Sequence, residues 1–118
     1  MYTIVYALDT HGHLLSTPVN IARTVGSQCA SHCRTSSETE GILWYLIAPG
    51  TTVPQQVYSG KHVSANFVLT HSISSSPNAP GQFDLLINSV QPNHAGTYVC
   101  EEASSRSSAE FNLVVLGR

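Results

Sequence analysis

Charge is scarce in this sequence. Asp, Glu, Lys and Arg make up 10% of its residues and the formal net charge is −2. Nucleic acid and anionic membrane surfaces are bound through concentrated basic patches, so neither is the expected partner. No apolar run approaches the ~20 residues that cross a bilayer, so this chain is not expected to insert into a membrane. Met1 to Leu8 is apolar but lacks a basic flank and a cleavage site, and is not read as a signal peptide. Asn-x-Ser/Thr acceptors are missing, so N-glycans are not expected. There is no glycine-rich phosphate loop, no nucleophile elbow and no pattern of paired carboxylates, which argues against an enzyme and against a bound cofactor. His11 and His13 could share one side of an extended segment, but two ligands without others at a known spacing do not make a metal site.

What is present is short-range alternation. The 118 residues, 42% of them hydrophobic, suffice for one domain over 1–118 and not for two. Ile42, Trp44 and Leu46 alternate with Leu43, Tyr45 and Ile47. Phe83, Leu85 and Ile87 alternate with Asp84, Leu86 and Asn88, and Phe111, Leu113 and Val115 with Asn112, Val114 and Leu116. Serine-rich stretches at 35–37, 72–76 and 104–108 read as loops, and proline punctuates the chain at 18, 49, 54, 77, 80 and 92. Many period-2 segments between Gly, Pro, Ser and Asn predict an antiparallel sandwich or barrel.

Three cysteines occur, at 29, 33 and 100. Cys29 and Cys33 would sit roughly 13 Å apart on one strand, too far to bridge each other. Trp44 follows Cys33, and Tyr98 precedes Cys100 by two residues within Asn93-His94-Ala95-Gly96-Thr97-Tyr98-Val99-Cys100. This arrangement resembles the immunoglobulin superfamily. The resemblance implies a disulfide between Cys33 and Cys100 joining two sheets, an oxidising extracellular setting, and a core signature of Trp44, Leu85, Ile87 and Tyr98. It also implies that the Tyr98 hydroxyl bonds back to the backbone. Cys29 is expected to be a buried free thiol; His32 would point to the opposite side of the strand, which disfavours a Cys-His zinc site.

Trp44-Tyr45-Leu46-Ile47-Ala48-Pro49-Gly50, followed by Val53-Pro54-Gln55-Gln56-Val57-Tyr58, is similar to the framework of variable-type domains. The implied fold is therefore an immunoglobulin-like antiparallel β-sandwich with Greek-key connections, of the variable type. Three departures stand out. Asn66 and His94 occupy the positions of a usual Arg–Asp pair, which suggests a neutral hydrogen bond there, or a pH-sensing His94. Leu46 and Ile47 replace two polar residues. The last strand, Glu110 to Leu116, lacks a Phe-Gly-x-Gly motif, so an adhesion, co-receptor or invertebrate variable-type receptor fits better than a rearranging antigen receptor.

The expected function is non-catalytic protein recognition by a cell-surface or secreted receptor. By alternation and resemblance, Tyr45, Ile47, Pro54, Val57, Tyr58 and Val99 should form an outward apolar patch on the Trp44 sheet, fit for another immunoglobulin-type domain or a second copy. A second surface is the loop end, 34–41 and 101–108, carrying Glu38, Glu40, Glu101 and Glu102 with Arg34 and Arg106, which would suit a basic partner. A spacer in a multi-domain chain and a secreted binder of foreign molecules are the alternatives.

Overall fold

A computed structural model describes residues 4–36, 41–76 and 79–117. The described residues form strands β1 (Val5–Leu8), β2 (Leu14–Leu15), β3 (Val19–Thr24), β4 (Cys29–Thr35), β5 (Ile42–Ile47), β6 (Pro54–Ser59), β7 (His62–Val63), β8 (His71–Ser76), β9 (Ala79–Ile87), β10 (Gly96–Glu102) and β11 (Ser108–Leu116), with a 3-10 turn at Pro92–His94. A five-stranded sheet runs β2-β1-β4-β9-β8 and a six-stranded sheet runs β3-β11-β10-β5-β6-β7. The β3–β11 pairing is parallel and the others are antiparallel. The chain crosses between sheets from β2 to β3, from β3 to β4, from β4 to β5, from β7 to β8 and from β9 to β10. The result is an immunoglobulin-like β-sandwich.

The alternation in sequence becomes alternation in burial. Along β5, Ile42, Trp44 and Leu46 are buried while Leu43, Tyr45 and Ile47 are half-buried; along β4, Cys29, Ser31, Cys33 and Thr35 face inward. Side chains on a strand point to opposite faces in turn, so each strand gives its apolar set to the space between the sheets. Trp44, Tyr98, Phe111, Ile42, Leu85 and Ile87 are the largest side chains closed off there. The Trp44 and Phe111 rings lie 5.5 Å apart, and the Trp44 indole N–H donates to the Phe83 carbonyl oxygen at 2.8 Å. The one polar atom of the indole is thus satisfied where it is buried.

A disulfide joins Cys33 on β4 to Cys100 on β10, tying one sheet to the other across 67 residues of sequence. In the chain-entropy picture a closure of this length stabilises the fold by about 4 kcal/mol. Gly96 opens β10 with φ +144°, and a Cβ there would lie 2.7 Å from the Ile47 carbonyl oxygen. Only glycine lets β10 enter this close to β5.

The Tyr98 hydroxyl donates to the His94 carbonyl oxygen at 2.6 Å, both groups being buried. This ties β10 to the 3-10 turn before it. Removing the hydroxyl leaves a buried carbonyl without its partner, at a typical cost of 1–3 kcal/mol. Tyr98→Phe is therefore expected to lower stability by about 1–2 kcal/mol, read as a shift of the urea midpoint at unchanged slope. An unshifted midpoint would show that the bond is not needed.

Asn66 and His94 are not bonded to one another, contrary to the sequence-based expectation. Asn66 is exposed, whereas His94 Nδ1 accepts the Gln91 backbone N–H at 2.9 Å and its ring stacks edge-on against His71 at 5.0 Å. The missing charge pair is filled by a second imidazole. Cys29 is a free, buried thiol whose titration burial pushes up. Asp9 accepts the backbone N–H groups of His11 and His13 at 2.8 Å and approaches the His13 ring at 3.0 Å. Those bonds, that of His13 foremost, hold its carboxyl down at about 2. Among the described residues no group of His, Cys, Asp and Glu is arranged to hold a metal, and no helix is long and apolar enough to cross a membrane.

Candidate recognition face

The outward side of the six-stranded sheet is ordered by its pairing register. Glu110, Val99 and Tyr45 are cross-strand neighbours on β11, β10 and β5. In the next row Asn20, Asn112, Thr97, Ile47 and Pro54 run from β3 to β6. Tyr45 and Ile47 are half-buried and Pro54 is exposed. Thr97 Oγ1 donates to Asn112 Oδ1 at 2.9 Å, and Asn112 Nδ2 donates to Asn20 Oδ1 at 3.1 Å. This relay across three strands fixes the polar side chains flat and satisfied beside the apolar ones.

Three of the residues expected on this patch are not available. Val57 is wholly buried, Tyr58 is 9% exposed and Val99 is 4% exposed. The cause at Val57 and Tyr58 is a bulge. Trp44 pairs with Tyr58 and Tyr45 pairs with Gln56, so Val57 is an extra residue on β6. A bulge breaks the alternation, and here both consecutive side chains turn into the core. Tyr58 then places its hydroxyl on the Gly60 carbonyl oxygen at 3.0 Å. Val99 does point outward, but it is flanked in its cross-strand row by the longer residues Tyr45 and Glu110.

The exposed apolar surface extends instead along β11. Val114 is 54% exposed and Leu116 is 46% exposed, on the same side as Asn112. An open groove of about 500 Å³ lies between Val114 and the end of β5 with the turn after it, lined by Ile47, Pro49, Thr51, Thr97, Asn112 and Val114. Alternation along 111–116 carried the signal for Val114 and Leu116, since both lie out of phase with the core residues Phe111 and Leu113.

At the loop end, Glu38 and Glu40 lie outside the described residues. Glu102 does not face a ligand. It is buried, and its carboxylate accepts the Ser104 hydroxyl at 2.6 Å and the Ser105 N–H at 2.8 Å. These bonds, the Ser104 hydroxyl first, hold its carboxyl below the usual range and close the β10–β11 turn. Arg34 lies on β4 rather than in the loop, and its guanidinium contacts Asp84 on the neighbouring strand β9 of the five-stranded sheet. Glu101 and Arg106 remain at this end, 3.7 Å apart, with Arg106 79% exposed and Glu101 15% exposed. Partial burial, then the Glu101 carboxylate, pushes the Tyr45 phenol up; Arg106 and Glu110 are also close enough to act on it.

A second cluster, not foreseen as a site, occupies the outer side of the five-stranded sheet. Asp84, 3% exposed, accepts the Cys33 N–H at 2.9 Å, the His32 ring at 3.0 Å and the Gln82 amide at 3.1 Å, and pairs with Arg34. Its acceptor sites are filled by the protein itself, so it is a structural knot and has little left to offer a ligand.

The chain matches no protein-family model. The comparison leaves the arrangement of the two sheets, the disulfide and this face to carry the functional reading.

Proposed function

We propose that this chain is a variable-type immunoglobulin domain of an extracellular receptor or adhesion protein, and that it acts by non-catalytic protein recognition. The observation that carries the reading is the outer side of the six-stranded sheet. It holds a groove of about 500 Å³ with Ile47, Pro49 and Val114 half-buried or exposed around it and a satisfied polar relay beside it. Surfaces that join an apolar centre to a hydrogen-bonded polar margin are suited to a protein partner. The extra strands β6 and β7, which widen this sheet, support the variable-type assignment. The interchain occupant is a second immunoglobulin-type surface, either another copy or a different chain. The disulfide supports an oxidising, extracellular location.

Ile47→Asp places a carboxylate in the middle of this face while leaving the core untouched. Presented as a multivalent probe against cell-surface proteins, the domain is expected to lose at least about tenfold in binding with Ile47→Asp. Ser75→Asp, an exposed change on β8 in the opposite sheet, is expected to bind like the parent. Both variants should keep the parent melting temperature. Equal binding by the two variants would overturn the reading.

A further inference from the structure

The charge layout of the recognition face distinguishes its two possible occupants. Its carboxylates, Glu101 and Glu110, both lie towards the loop end of the face, in the row of Tyr45 and the one beyond it. Arg106 attends Glu101 at 3.7 Å, but Glu110 is exposed and has no cationic partner among the described residues. The other described cations are placed elsewhere. Arg34 is held by Asp84 on the far sheet, the Arg23 guanidinium donates to the carbonyl oxygen of its neighbour Ala22, and Lys61 lies in the β6–β7 turn. The groove end, with Ile47, Pro49, Thr51 and Val114, has no charge of either sign in its lining.

A two-fold dimer sets the same patch against itself. With the two sheets running alike, the loop ends of the two copies come together, and with them Glu101 and Glu110 of both. With the sheets reversed, Glu110 is laid over the uncharged groove end of its partner. In the first case like charges are brought together. In the second a carboxylate loses water and gains no cation from the groove lining of the described residues. Both arrangements oppose association, and complementarity of charge is what selects partners at such interfaces.

We propose that the occupant of this face is a different protein chain, one that sets a lysine or arginine against Glu110 beside an apolar or aromatic side chain seated in the groove. This rests on the face being the recognition surface. The cation neutralises Glu110 where it is desolvated, and the neighbouring side chain fills the groove between Ile47 and Val114. Tyr45 lies in the same cross-strand row as Glu110, close enough for the carboxylate to act on its phenol. Among the described residues a second copy brings only Arg106 to this face, and that guanidinium already attends Glu101.

The test uses nitrogen-15 NMR of the whole chain with two small probes, N-acetyl-Arg-Trp-amide and N-acetyl-Glu-Trp-amide. The arginine probe is expected to shift the amides of Tyr45, Ile47, Thr97 and Val114 and to bind about fivefold more tightly than the glutamate probe, as one partly exposed ion pair allows. Glu110→Lys is expected to reverse that preference while leaving the spectrum of the core unchanged. Equal affinity of the two probes on the face, or no reversal with Glu110→Lys, would overturn the proposed partner. So would shifts of the same amides with rising protein concentration alone, because they would identify a second copy as the occupant. Failure of both probes to shift any of these amides would instead remove the face as the recognition surface.

Discussion

Acidification from neutral pH to about pH 4 is expected to cost this fold about 3 kcal/mol through His71 alone. His71 is 2% exposed and sits between the Phe67 ring at 5.0 Å, the His94 ring at 5.0 Å and the Tyr98 ring at 6.1 Å. Its ring nitrogens meet two hydroxyls, Thr70 at 2.7 Å and Tyr98 at 3.4 Å. Since the Tyr98 hydroxyl proton goes to the His94 carbonyl oxygen, a bond from His71 to Tyr98 takes the Nε2–H as donor, while Nδ1 meets the Thr70 hydroxyl, which also reaches the Phe67 carbonyl oxygen at 3.3 Å. His94 Nδ1 accepts the Gln91 N–H, so that ring too is neutral, with its proton on Nε2. Among the described residues neither imidazole has a carboxylate in ion-pair reach. Burial, and then the neighbouring His94, lowers the His71 pKa from 6.5 to about 4; burial lowers that of His94 as well.

The sign follows from linkage. The unfolded chain takes up the proton near pH 6.5 and the folded chain does so only near 4. The stabilisation is complete above the unfolded value and is lost as pH falls through the window between the two. By pH 5 about 2 kcal/mol is gone. The measurement is urea unfolding at a series of pH values, for the parent and for His71→Phe. The phenyl ring keeps the aromatic contacts, Thr70 can turn its hydroxyl to the Phe67 carbonyl oxygen at 3.3 Å, and Tyr98 keeps its bond to His94. His71→Phe is expected to flatten most of the dependence above pH 5. Parallel loss in the two proteins would place the acid sensitivity elsewhere.

That pair also shows where sequence reasoning stops. His94 was legible as a departure from the Arg–Asp pattern, but its partner was not Asn66. The contact that matters joins the start of β8 to the 3-10 turn, and no periodicity links residues so placed. The framework was legible for the opposite reason. Cys33, Trp44, Tyr98 and Cys100 each sit on a strand whose alternation points them inward, so their roles follow from local pattern once the two sheets face each other. Val57 and Tyr58 defeated the same rule, because a single inserted residue in β6 cannot be seen in a hydrophobic pattern; it exists only relative to the register of β5. Glu102 read as a loop charge because composition around it is polar. Its burial is set by the Ser104 and Ser105 donors of the turn that it closes.

Asp84 gives the other large expected effect. In the alternation of β9 it falls on the outward side, where a carboxylate is normally a solvated surface group. Here its neighbours close over it. The regular β4–β9 ladder is interrupted between Ser31–Leu85 and Arg34–Gln82, and the Cys33 N–H turns to the Asp84 carboxylate instead of a strand partner. The same carboxylate neutralises Arg34 and orients His32 and Gln82, whose side chains cover it. Asp84→Ala leaves a buried backbone N–H without an acceptor and a partly buried guanidinium, 24% exposed, without its anion. Losing one partner of a buried pair costs about 3–5 kcal/mol, far more than losing a surface ion pair. Arg34→Met is expected to cost less, about 1–2 kcal/mol, because the Cys33 N–H, His32 and Gln82 still satisfy the carboxylate. The asymmetry is the test, read from urea midpoints at neutral pH. If the two variants lose the same stability, Asp84 acts only as a counter-ion to Arg34. If Asp84→Ala is much the worse, the carboxylate is replacing a rung of the sheet at the residue that anchors the disulfide.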